Sequence, residues 1–150
     1  VRRTRKISQK PVEWRFSTSP LVRTLPQKNK TMTTKEIASR LVDLVRKGEF
    51  EKAQQELYAQ DTVSMEPIET PEFEKETRGL KAIFEKGQKF NNLVETMHAI
   101  RVSDPLVAGN TIACTMTMDV TMKGRERATY DQLCVYQVKD GRVISEQFFV

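Results

Sequence analysis

The chain has 150 residues, 38% of them hydrophobic and 30% charged, which suits one domain with one core. No stretch approaches the roughly 18 apolar residues that a membrane-spanning helix needs, so that class is excluded. The formal net charge of +5 is unevenly placed: residues 1–31 hold nine of the 25 Lys/Arg and one of the 20 Asp/Glu, leaving 16 basic and 19 acidic residues for 32–150. The basic character therefore belongs to a leader and not to the body of the chain, so any nucleic-acid contact is expected only through residues 1–31.

That leader contains Pro11, Pro20 and Pro26, no glycine and no sustained hydrophobic period, a composition that predicts disorder. It has no apolar run long enough for a secretory signal. Three readings of it stand: an upstream extension ahead of a start at Met32, an Arg/Ser-rich transit peptide, or an electrostatic arm for nucleic acid or anionic lipid. The domain is expected at 32–150. Cys114 and Cys134 do not make a disulfide framework, so a reducing, cytoplasmic setting is the default. With His98 as the single histidine and no Cys/His cluster, neither a metal site nor a metal cofactor is expected, and no nucleotide-binding glycine motif is present.

The first helix is announced by Thr33 followed by Glu36, the spacing of a capping box. Ile37, Leu41, Leu44 and Val45 then form one apolar stripe, and Gly48 predicts the stop. A second helix is expected over 49–59, carrying Phe50, Ala53 and Leu57 and ending on Tyr58, a core residue with its hydroxyl tied to a partner. "DTVSMEP" follows as an extended segment closed by Pro67, then "IETPEFEKETRG" as an acidic loop. A third helix is expected over 79–91, with Leu80, Ile83, Phe84 and Phe90 on one side.

From Asn92 onward the period changes from 3.6 to 2. "LVETMHAIRV", "NTIACTMTMDVTM", "RERATYDQLCVYQV" and "RVISEQFFV" read as four successive strands, joined by "SDPLVAGN", "KG" and "DG". Helices followed by a strand meander predict an α+β fold, with the helices on one face of a curved antiparallel sheet. In the second of these strands Ile112, Cys114, Met116, Met118, Val120 and Met122 share the apolar face.

Lys123-Gly124 reads as a two-residue hairpin loop. That register opposes Met116 to Asp131 and Cys114 to Leu133, and opposed residues share a face. Asp131 is thereby expected to point inward into a methionine-lined space, and Cys134 to lie on the other face from Cys114. An inward carboxyl is either a ligand contact with a raised pKa or a structural acid held by amides or an arginine.

The segments "EFEKAQQELYAQDTVSMEP", "RGLKAIFEKGQKF" and "DQLCVYQVKDGRVISEQFF" resemble the SnoaL-like members of the nuclear transport factor 2-like superfamily, over about residues 33–150. The resemblance implies a cone-shaped, cystatin-like α+β barrel in which a bent sheet wraps the helices and leaves a hydrophobic pocket at the wide end. It also implies pairing as a homodimer through the outer sheet face. Similarity to the ketosteroid isomerases and polyketide cyclases of that superfamily puts a carboxylate base at Glu66, in "SMEP", and an acid at Asp131, in "YDQL". The isomerases carry a tyrosine on the first helix where this chain has Leu41, which argues against steroid isomerisation.

The expected site is therefore Glu66 and Asp131 as catalytic acids, with Tyr58, His98, Met116 and Met118 lining the pocket. For Glu66 the alternative is a solvated acid at a loop entrance. For His98 it is a core or pocket-wall residue. The expected function is a small-molecule pocket protein, with cofactor-independent proton-transfer chemistry on an apolar carbonyl compound. A non-catalytic ligand-binding or dimerisation module is the alternative.

Overall fold

The computed structural model describes residues 30–150; the basic leader read at 1–31 lies outside the described residues, apart from its last two positions. Helix α1 (Thr34–Arg46) begins where the capping box puts it. The Thr33 amide donates to the Glu36 carboxylate at 2.7 Å, and the Glu36 amide to the Thr33 hydroxyl at 3.2 Å. At its far end Gly48 takes φ 72°, so the Gly48 amide reaches the Val45 carbonyl at 2.9 Å and the Glu49 amide the Leu44 carbonyl at 3.0 Å. That pair of bonds closes the last turn with a left-handed residue, a conformation glycine adopts without strain.

Helix α2 (Phe50–Leu57) runs directly into β1 (Tyr58–Met65), so Tyr58 opens a strand instead of ending a helix. After β2 (Glu76–Arg78) come α3 (Leu80–Leu93) and β3 (Val94–Val102). The short β4 (Leu106–Ala108), β5 (Thr111–Met122), β6 (Arg127–Lys139) and β7 (Arg142–Phe149) complete the chain. Two of these strands were read from sequence as connections: β2 inside the acidic loop and β4 inside "SDPLVAGN". At three residues each they are too short to show a period of 2.

The sheet order is β2-β1-β7-β6-β5-β3, with β4 also paired to β5. All contacts are antiparallel except β1 with β7, which run parallel. The sheet is therefore mixed, and it is not closed: β2 forms one edge and β3 with β4 the other, giving a cone-like α+β fold open along one side. Its concave face meets the apolar stripe of α1, where Ile37, Leu41, Leu44 and Val45 are all buried against Ile112, Cys114, Met116, Tyr136 and Val143.

The register of β5 against β6 overturns the expected direction of Asp131. Arg125 donates its amide to the Met122 carbonyl at 3.0 Å. The last paired positions are Thr121 and Arg127, a register that opposes Met122 to Glu126 and leaves three residues, Lys123 to Arg125, in the loop. The one-residue extension opposes Met116 to Gln132 and Thr117 to Asp131. A single step of register exchanges the two faces of a strand. Asp131 consequently lies on the convex side, exposed, and accepts a hydrogen bond from the Thr117 hydroxyl at 2.5 Å. For the same reason Cys134 sits directly opposite Cys114, and both are buried on the concave face, not on opposite faces as the shorter loop implied.

Candidate functional site

Between the helices and the concave face of the sheet lies a cavity of about 390 Å³. Its walls are mostly apolar. Phe84 and Phe90 come from α3, Met116, Met118 and Met122 from β5, and Phe148 from β7. The segment after β1 covers one side with Pro67, Ile68 and Phe73. A volume of this size is within the usual range for an organic ligand.

One line of polar groups crosses this apolar wall. The Tyr58 hydroxyl donates to one oxygen of Glu146, and the Ser64 hydroxyl donates to the other at 2.7 Å. The Lys86 ammonium donates to Ser64 Oγ at 2.5 Å and to Glu66 Oε1 at 2.7 Å. Five side chains, from β1 and the residue that follows it, α3 and β7, thus form one hydrogen-bonded row, from the fully enclosed Glu146 to the partly open Glu66. Lys86 also lies 5.9 Å from the ring centre of Phe148.

Burial dominates the electrostatics of the inner end. Glu146 is 4% exposed, and loss of water pushes its carboxyl above the ordinary 4.5, against the lowering effect of the Tyr58 and Ser64 hydrogen bonds and the Lys86 charge. Burial first, and the nearby Glu146 carboxylate second, push the Tyr58 phenol well above 10. Tyr136, also in the cavity wall, is pushed up by burial in the same way. Two titratable groups in direct contact inside an apolar space are a recognised mark of a functional site.

Of the residues singled out from sequence, Tyr58, Glu66, Met116 and Met118 line the cavity. Glu66 is not a freely solvated acid, since Lys86 holds it. Asp131 does not reach the cavity, for the register reason given above. His98 does not line it either. The pairing of β3 with β5 shifts between Met97 and Ala99, leaving His98 at the irregularity, exposed, with its ring Nε2 2.8 Å from the Thr121 hydroxyl. An irregularity of this kind breaks the simple alternation that placed His98 beside Ile100.

Glu146, Ser64 and Lys86 complete the row and were not singled out from sequence. Strand alternation from Val143 puts Ser145 and Gln147 on the inner face, yet the buried residues are Val143 and Glu146. The cause is a shift in the β6–β7 pairing: Val138 opposes Val143, but Gln137 opposes Ser145, so Ile144 is an extra residue. Signals for the other two were present. Thr62 and Ser64 of β1 alternate in step with Glu66 just beyond it, and Lys86 falls three residues after Ile83 and four before Phe90, on the apolar stripe of α3.

Among the described residues no cluster of three or more His, Cys, Asp or Glu could hold a metal ion. No helix among them is long and apolar enough to cross a membrane.

The chain has no match among curated proteins. It is similar to a solved Mesorhizobium loti protein assigned as a SnoaL-like polyketide cyclase and also named a carbohydrate phosphatase. The two share 32% identity, with 79% of this chain and all of that chain covered and a TM-score of 0.74. A Xanthomonas campestris protein of cystatin-like fold aligns at 18% identity and TM-score 0.68, over 79% of this chain and 90% of that one. A nuclear transport factor 2-like protein from Burkholderia pseudomallei aligns at 15% identity and TM-score 0.66, over 79% and 91%. These last two are alike in fold. The family model described as SnoaL-like domain matches residues 32–150, and the chain is therefore a member of the SnoaL-like domain family.

Proposed function

We propose that this chain is a small-molecule pocket protein that accepts an apolar carbonyl compound and moves a proton at the carbon beside the carbonyl, without a cofactor. The observation that carries this reading is Glu146, a carboxyl buried in the wall of a mostly apolar cavity and wired through Ser64 and Lys86 to a second carboxyl, Glu66. Glu66 sits at the more open end and is the base that takes the proton. Lys86 has three N–H donors, two of them used on Ser64 and Glu66, so one is left for a ligand oxygen. Glu146, whose carboxyl burial pushes above the ordinary value, anchors the inner end of the row through Tyr58 and Ser64, and the remaining Lys86 N–H is the donor to a developing enolate.

The test is a ligand search on the full chain by thermal shift or native mass spectrometry, using a panel of apolar ketones and phenols. Glu146→Gln and Asp131→Asn are run in parallel. Binding is expected, weakened by Glu146→Gln and untouched by Asp131→Asn. Turnover is read as exchange of the α-proton for deuterium, and Glu66→Gln is expected to abolish it. Binding that is indifferent to Glu146→Gln would remove the polar row from the reading.

A second reading, binding without catalysis, is favoured by one observation. Among the described residues no buried side-chain nitrogen or oxygen lacks a hydrogen-bond partner, so the row is satisfied before any ligand arrives. Tight binding without deuterium exchange selects this reading. We also propose that two copies pair through the convex sheet face. Leu133 of β6 and Phe149 of β7 oppose one another there, 42% and 43% exposed.

A further inference from the structure

The cysteines are the groups the cavity chemistry leaves unused. Cys114 of β5 and Cys134 of β6 are directly opposed in the ladder, and both are free, buried thiols on the concave face. Opposed residues of antiparallel strands have Cα atoms about 4.5–5.5 Å apart, inside the roughly 4.4–6.8 Å span that a disulfide bridges. On the same face Ile112 and Met116 flank Cys114, and Tyr136 flanks Cys134.

We propose that Cys114 and Cys134 form an oxidant-responsive disulfide, a covalent staple across the centre of the sheet on the face that floors the cavity. Cys114 is the sulfur that an oxidant reaches first, with a residual exposure of 6% against 0% for Cys134. The neighbouring Cys134 thiol also holds Cys114 below the ordinary thiol value, which favours Cys114 as the attacking sulfur.

With hydrogen peroxide as oxidant, the Cys114 thiolate attacks one peroxide oxygen. The S–O bond forms, the O–O bond breaks, and the departing hydroxide takes a proton to leave as water. The Cys134 sulfur then attacks the Cys114 sulfenic sulfur. The S–S bond forms, the S–O bond breaks, and a second water leaves with the Cys134 proton. The two thiols together lose two electrons and the peroxide gains them. Bridging closes the chain from Cys114 to Cys134, which includes the β5–β6 turn and the strand segments next to it, and limits the unfolded state accordingly.

The experiment uses the full chain treated with hydrogen peroxide, then unfolded in the presence of a thiol-alkylating reagent and weighed intact. The expected product is monomeric, lighter than the reduced chain by two hydrogens and resistant to alkylation at both positions. Trypsin should yield peptide 102–123 linked to peptide 128–139, a species that disappears on reduction. The oxidised chain should melt several degrees higher than the reduced one. Cys134→Ser, close in size to the native residue, should lose the cross-linked peptide and accumulate sulfenic acid at Cys114 instead. Two results overturn the proposal: both thiols still fully alkylated after peroxide treatment, or the oxidised product being a disulfide between two chains. Because the readout is mass and melting temperature, it is independent of whether the cavity binds or turns over any compound.

Discussion

Tyr58 and Glu146, separated by 88 positions in the sequence, share a hydrogen bond in the interior of the cone, the phenol donating to the carboxyl. It joins the start of β1 to the middle of β7, the one parallel contact in the sheet. A buried carboxyl tolerates its loss of water only while its oxygens keep donors, so the pair is both a structural and a chemical element.

Tyr58→Phe removes that donor and leaves a Glu146 oxygen without it. The expected cost is about 1–3 kcal/mol of folding stability. Urea denaturation monitored by circular dichroism measures it; a loss below about 0.5 kcal/mol would show that the pair does not support the fold.

The raised pKa of Glu146 makes stability depend on pH with a defined sign. Between the ordinary value of 4.5 and the higher folded value, the folded chain holds a proton that the unfolded chain has released. Stability from this group is complete below the ordinary value, falls as pH rises through the window, and levels off above it. Glu146→Gln removes the proton, so the difference between the two proteins should change across the window. Denaturation midpoints collected from about pH 4 to about pH 8 check this, and a flat difference contradicts it.

Lys86→Met keeps the length of the side chain and removes the charge that links Glu66 to Ser64. Binding of a carbonyl ligand is expected to weaken by about tenfold to a hundredfold, the range for one charge-assisted hydrogen bond. Isothermal titration against the native chain measures it. Unchanged affinity would assign Lys86 to holding Glu66 alone.

Thr33→Ala deletes half of the capping box at α1. The expected loss is about 1 kcal/mol, with no effect on the cavity. Thermal melts read the loss, and ligand affinity serves as the internal control.

For the proposed pairing of two copies, Leu133→Arg puts a charge at the centre of the exposed apolar pair on the convex face. Light scattering should report a dimer for the native chain and a monomer for the variant, with the fold kept.

Most of the secondary structure was legible because it rests on local chemistry. The Thr33–Glu36 cap, the stripe of Ile37, Leu41, Leu44 and Val45, and the Gly48 stop each depend on residues within two turns of one another. Likewise, the alternation from Thr111 to Met122 placed Met116 and Met118 on the concave face. Glu66 and Tyr58 were legible as cavity residues because the resemblance placed the first, and burial of an aromatic at a helix end suggested the second.

What the chain alone left open was decided at three irregularities of pairing. A third residue in the β5–β6 loop turned Asp131 outward and brought Cys134 across from Cys114. A shift near His98 pushed that ring into solvent, and an extra residue at Ile144 turned Glu146 inward. A strand carries its face preference in a period of 2, so one inserted residue reverses everything beyond it. Local sequence therefore determined which segments are strands and helices, whereas the identity of the buried acid depended on register, a property of two strands meeting and of neither one alone.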